Sequence, residues 1–93
     1  TKIDGIRFPS IREAKRYQEL KLLARNGVID ELILQPRFTL AVNNVQICVY
    51  VADFKYIEHG QVVVEDCKGF RTPVYRLKAK LMLAIHGIKI MET

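Results

Sequence analysis

Asp53, Asp66 and Lys68 are the residues whose types and spacing suit chemistry. Asp53 lies near the end of one apolar run, and Asp66-Cys67-Lys68 ends the next. Charged side chains at the ends of runs of Val, Ile, Tyr and Phe are poor core material. Two carboxylates can hold a hard divalent cation, and an ammonium group beside them can act on a phosphodiester and its attacking water. Asp66 and Lys68 are i and i+2, so on a strand they share a face while Cys67 points the other way. A lone Asp-x-Lys is common at exposed strand ends; Asp53 in the preceding strand gives this one its interest.

The position of Asp53 depends on hairpin register. A two-residue turn at His59-Gly60 pairs Glu58 with Gln61 and sets Asp53 opposite Asp66. A three-residue loop pairs Ile57 with Gln61 and sets Asp53 against Glu65, which disperses the site unless a bulge restores it. The converging register is favoured, because Gly60 suits a left-handed turn position and a cation would relieve the repulsion of two facing Asp residues. Glu13 is a further carboxylate, in the first turn of a helix. Ser10-Ile11-Arg12-Glu13 is also a capping box, and on the local pattern that role is the stronger. Gln35, just before Pro36, is either a polar ligand at a strand end or a partner for backbone at the break.

These residues need a scaffold. Ser10 starts a helix with Ile11, Ala14, Leu20, Leu23 and Ala24 on its apolar stripe, and Asn26-Gly27 stops it. Residues 3–9 form an extended arm or hairpin before it. Val28 to Leu34 is strand-like, interrupted at Pro36 and resumed from Phe38 to Val42. After a turn at Asn43-Asn44, Val45 to Ile57 is one long β-rich segment, and Gln61 to Lys68 is the next strand. Gly69 to Arg71 form a loop. Thr72-Pro73 opens a second helix with a cap and a first-turn proline. Its expected stripe is Val74, Leu77, Leu81, Ala84 and Ile85, with His86-Gly87 as the stop. Ile88 to Met91 is a last short strand, parallel to its neighbour because a helix intervenes. The expected fold is α/β: a mixed β-sheet flanked by helices, in the order αβββαβ.

Ninety-three residues make one domain, with 49% apolar and 27% charged residues, ordinary values for a globular chain. No run is long enough to span a membrane, so no membrane partner is expected, and no secretory signal pattern is present. The chain opens on Thr, so a few preceding residues are expected to have been removed. Cys48 and Cys67 lack ligand spacing and are expected to be reduced core residues of an intracellular, cytoplasmic protein. Fifteen Lys and Arg against ten Asp and Glu give a net charge of +5, which permits a phosphate-bearing partner. Arg12, Lys15 and Arg16 on the first helix, and Arg71, Arg76, Lys78 and Lys80 on and before the second, are either contacts to a phosphate backbone or solvated helix faces. His59 and His86 have no partner that suggests ligation.

Ser10-x-x-Glu13 on a helix, then Tyr50-Val51-Ala52-Asp53-Phe54, then Val64-Glu65-Asp66-Cys67-Lys68-Gly69, in that order, resembles the PD-(D/E)XK nuclease superfamily. The likeness covers almost the whole chain. It is nearest to small phage-encoded members, and similar in plan to Holliday junction resolvases and transposon nuclease subunits. The resemblance implies a restriction-endonuclease-like core and a metal-dependent DNA endonuclease. It implies that Asp53, Asp66 and Glu13 bind Mg2+ or Mn2+, and that Lys68 orients the attacking water and stabilises developing charge. It also implies DNA as partner, with Arg12, Lys15, Arg16, Arg71, Lys78 and Lys80 as contacts, a homodimer, and a bacterial host cell as the setting. Ala52 stands where the motif has Pro, and Asp66 stands for the commoner Glu, which keeps the ligand type one methylene shorter. The alternative is a catalytically silent nucleic-acid-binding or assembly module on the same fold.

Overall fold

A computed structural model describes residues 1–68 and 70–93. Gly69, and with it part of the expected 69–71 loop and the motif's final glycine, lies outside the described residues. The chain is α/β. Helix α1 (Ile11–Arg25) and helix α2 (Pro73–Leu81), which runs into a π-helical turn at Met82–His86, pack on opposite faces of a four-stranded mixed sheet. A short hairpin, β1 (Lys2–Ile3) and β2 (Ile6–Arg7), precedes α1.

Between the helices lie five strands where three were expected: β3 (Asp30–Leu34), β4 (Arg37–Val42), β5 (Val45–Val51), β6 (Phe54–Glu58) and β7 (Gln61–Asp66). Each of the first two expected strands is broken in two, and the breaks face each other. β3 pairs with β6 and β4 with β5, so residues 30–58 form one long hairpin that bends at Gln35-Pro36 and Ala52-Asp53. The Gln35 N–H donates to Asp53 O at 3.0 Å and the Ala52 N–H to Pro36 O at 3.1 Å across the bend. Pro36 lacks an N–H and cannot continue a ladder, which starts the break. The sheet order is β3-β6-β7-β8, where β8 is Met91–Glu92 rather than 88–91 and pairs parallel to β7.

The turn between β6 and β7 has two residues. His59 (φ 53°) and Gly60 (φ 74°) are both left-handed, and Glu58 pairs with Gln61. This is the hairpin geometry whose twist matches the strands. Alternation from that anchor sends Phe54, Tyr56, Val63 and Glu65 toward α1 and Val64 toward α2.

Two cores result. Ala14, Tyr17 and Leu20 of α1 pack with Phe8, Ile29, Phe54 and Tyr56. On the other face, Tyr75 and Met82 pack with Leu40, Tyr50, Ala52, Val64 and Ile90. The expected stripes shift accordingly. Ile11 of α1 is exposed, and on α2 Val74 (63% exposed) and Leu77 (58%) face outward while Tyr75 faces in. Both N-caps form, Ser10 Oγ accepting from the Glu13 N–H and Thr72 Oγ1 from the Tyr75 N–H, each at 3.1 Å, but of the expected Ser10–Glu13 capping box only the Ser10 half is made among the described residues.

Candidate metal and phosphodiester site

Asp53 precedes β6 and Asp66 ends β7, one step beyond the Phe54–Glu65 pair, so the two carboxylates lie opposite each other on one face. The Asp53 N–H donates to Glu65 O at 3.1 Å, which carries the pairing through the bend. Each carboxylate has a fixed partner. Asp53 Oδ2 accepts from the Cys67 N–H at 2.7 Å. Asp66 Oδ2 accepts from the buried Tyr50 hydroxyl. Lys68 Nζ lies 3.3 Å from Asp66 Oδ1 and 4.4 Å from the centroid of the Tyr75 ring. Tyr75 is anchored in turn, its hydroxyl donating to Glu92 Oε2 at 2.8 Å.

Glu13 is buried (7% exposed) and approaches Asp53 from the first turn of α1. Its backbone N–H takes the cap from Ser10, while its side chain and that of Asp53 line one cleft. Burial, followed by the Glu13 carboxyl beside it, raises the Asp53 pKa from 3.8 to about 6. Burial, reinforced by the facing Asp53, raises Asp66 likewise to about 6, against the stabilising hydrogen bond from Tyr50. Tyr50 is pushed well above its ordinary value by burial and by the Asp66 carboxylate.

Among the described residues no group of three His, Cys, Asp or Glu side chains stands close enough together to hold a metal ion as placed. The donor chemistry nevertheless fits a hard cation: three carboxylates, of which the half-buried Asp53 and the buried Asp66 are opposed and have raised pKa values. As placed, Asp66 has both oxygens engaged, one by Tyr50 and one by Lys68. A cleft of about 190 Å³ opens on Glu13 and Asp53, with Arg7 and Gln35 among its walls. Gln35 adopts a left-handed φ of 50° at the bend, so the backbone break brings its side chain to this cleft.

The basic residues divide. Arg12 Nη1 donates to Lys68 O at 3.2 Å, which joins the start of α1 to the end of β7. Lys15 lines an open cleft of about 460 Å³ with Arg12 and Thr93. Lys78 Nζ donates to Val49 O at 2.9 Å, and Arg71 pairs with Glu92 at 2.5 Å. Lys80 is exposed. Arg16 is engaged within the fold. Its guanidinium fork holds the fully buried Glu65, Nε at 2.7 Å from Oε1 and Nη2 at 2.6 Å from Oε2, so its charge is compensated within the fold.

Tyr50 and Glu65 stand in the quoted motifs without a role there, and Arg7 carries no signal of its own in the sequence. Tyr50 precedes Asp53 by three, an odd spacing that opposes their faces on a regular strand; only the bend at Ala52-Asp53 aligns them. Glu65 carried a weak signal, as a lone Glu within an apolar strand.

The raised pKa values have a consequence for stability. In the folded metal-free protein Asp53 and Asp66 hold protons up to about pH 6, whereas the unfolded chain releases them near pH 4. The folded state thus binds more protons in between, and the pair's contribution falls as pH rises through that window. The difference in urea midpoint between wild type and Asp53→Asn/Asp66→Asn is expected to favour wild type most at pH 4. It shrinks or reverses by pH 7, and Mn2+ added at pH 7 stabilises wild type alone. Parallel pH profiles for the two proteins would show that both carboxyls ionise normally.

A family model described as "Protein of unknown function (DUF1064)" matches residues 1–90. No curated protein and no solved structure matches the chain. No helix among the described residues is long and apolar enough to cross a membrane.

Proposed function

We propose that this chain, which belongs to the DUF1064 family, is a divalent-metal-dependent DNA endonuclease on a restriction-endonuclease-like core. The observation that carries the reading is the two-residue His59-Gly60 turn, which sets Asp53 opposite Asp66 with Lys68 3.3 Å from the latter. Glu13 adds a third carboxylate from α1.

In this reading Asp53, Asp66 and Glu13 would hold Mg2+ or Mn2+, which would supply an activated water and a counter-charge for the phosphoryl oxygens. The chain's own groups do the positioning. The Cys67 N–H orients Asp53, and the Tyr50 hydroxyl orients Asp66. Lys68, braced on the Tyr75 ring, presents its ammonium group to the water and to charge developing on the phosphate. Arg12 fixes the Lys68 carbonyl and so its backbone. Lys15, Lys78 and Lys80 remain as contacts to phosphates outside the cleavage point, and a homodimer would cut two strands. A phage-encoded enzyme acting on branched or junction DNA within a bacterial cell fits this plan.

One observation favours a second reading. Asp66 has both oxygens engaged, and among the described residues no ligand triad stands ready. That suits a catalytically silent nucleic-acid-binding module. Supercoiled plasmid and four-way junction DNA incubated with Mg2+ or Mn2+ decide between the two. Cleavage by wild type, its absence in EDTA and its loss in Asp66→Ala are the expected results. Equal activity in wild type and Asp66→Ala sinks the nuclease; binding without cleavage by either establishes the silent module.

A further inference from the structure

We infer that the groove between β5 and the start of α2 binds an unpaired nucleotide next to the scissile phosphate, so that the substrate is DNA with a single-stranded or frayed segment at the cleavage point. This rests on the nucleic-acid reading above. The groove has a volume of about 270 Å³, and its walls include Val49, Val51, Val74, Tyr75, Lys68 and Lys78. Two ammonium groups and no carboxylate line it. The clefts beside Lys15 and Glu13, in contrast, each carry at least one acidic side chain. An anion with an apolar, flat body matches that lining: phosphate against lysines, base or sugar against Val and Tyr.

Its place matters as much as its chemistry. Lys68 and Tyr50 line the groove, and both are bonded to Asp66. The cleft of Glu13 and Asp53 adjoins the other member of the same carboxylate pair. The wall residues Val51 and Val74 are exposed, as apolar surface without a partner in the fold. The groove's volume of about 270 Å³ has room for one nucleotide but not for a base pair, and Lys78 stands at its wall, donating to the Val49 carbonyl.

Fluorescence anisotropy in EDTA tests this without cleavage. A labelled oligothymidylate and a blunt duplex of equal length are the probes, and a polyglutamate peptide is the competitor. Wild type is expected to bind the single strand more tightly than the duplex. Lys78→Glu and Val74→Glu are each expected to weaken single-strand binding about tenfold or more, because each places a negative charge in a groove meant for phosphate. Arg76→Glu reverses a charge outside the groove, as large a change as Lys78→Glu and larger than Val74→Glu, and is expected to weaken binding about twofold or less. Val74 is solvent-exposed, so its variant keeps the fold even if loss of the Lys78 bridge disturbs that of Lys78→Glu. Equal losses in Arg76→Glu and Val74→Glu, tighter binding of duplex, or displacement by polyglutamate as readily as by DNA each overturns the inference. Groove-dependent binding with no metal-dependent cleavage leaves the groove standing and removes the nuclease reading alone.

Discussion

Replacing Lys68 by methionine is expected to lower metal-dependent DNA cleavage by about 10²–10⁴-fold, the range typical of a positioned group that acts on charge or protons in the transition state. Methionine keeps the unbranched stem and its packing on the Tyr75 ring but removes the ammonium group, now 3.3 Å from Asp66 Oδ1 and 4.4 Å from that ring centroid. The fold should hardly respond. Lys68 is partly exposed, and the buried Asp66 keeps the Tyr50 hydroxyl as a donor and takes up a proton below about pH 6, so loss of the ammonium group leaves Asp66 less isolated than Glu65 would be without Arg16. Metal binding, read as the thermal shift produced by Mn2+, should be kept or strengthened, because Asp66 Oδ1 loses a competing partner. Activity and metal affinity are thus expected to separate. Cleavage at the wild-type rate would remove Lys68 from the mechanism. Loss of the Mn2+ shift together with cleavage would mean that Lys68 organises the carboxylates rather than acting on the phosphate.

That separation depends on a register the sequence already favoured. His59-Gly60 reads as a two-residue turn because Gly60 accepts a left-handed φ without a Cβ clash, and Asp4-Gly5 and Asn43-Asn44 form turns for similar local reasons. The Ser10 and Thr72-Pro73 helix starts are equally local. What stayed hidden depended on contacts between distant residues. The bend that splits Val45 to Ile57 leaves no mark within that apolar run; its cause is Pro36 on the partner strand. Tyr50 joins the site only through that bend. On α2, a count of aliphatic residues picks Val74 and Leu77, whereas Tyr75, an amphipathic residue, sets the buried face by reaching Glu92 with its hydroxyl. Glu13 could not be assigned from its spacing because one residue serves two ends: its N–H completes the cap while its side chain is left to meet Asp53.

The least legible contact carries the largest expected effect on stability. Arg16→Met is expected to cost about 3–5 kcal/mol, the usual consequence of leaving one member of a buried ion pair uncompensated. Glu65 is fully buried, and its carboxylate has three donors: Arg16 Nε and Nη2, at 2.7 and 2.6 Å, and the Tyr56 hydroxyl. Losing the first two leaves a charge in the interior with one phenol for a partner. For a domain whose total stability is on the order of 5–15 kcal/mol, that loss leaves much of the chain unfolded at moderate temperature. The companion variant Arg16→Met/Glu65→Leu removes both charges and should recover most of it, since apolar replacement of a buried pair is often neutral or stabilising. Urea unfolding followed by circular dichroism gives both values, and their cycle with Glu65→Leu gives the coupling. A cost below about 1 kcal/mol for Arg16→Met would place it among exposed ion pairs and show that the fork is solvated. The cycle also reaches the site. Glu65 is the neighbour of Asp66 on β7, and Arg16 lies one turn after Glu13 on α1. The fork therefore holds the helix that carries Glu13 against the strand that carries Asp66. The double variant should be folded yet respond more weakly to Mn2+ than wild type, because what fixed the third carboxylate above the other two is gone.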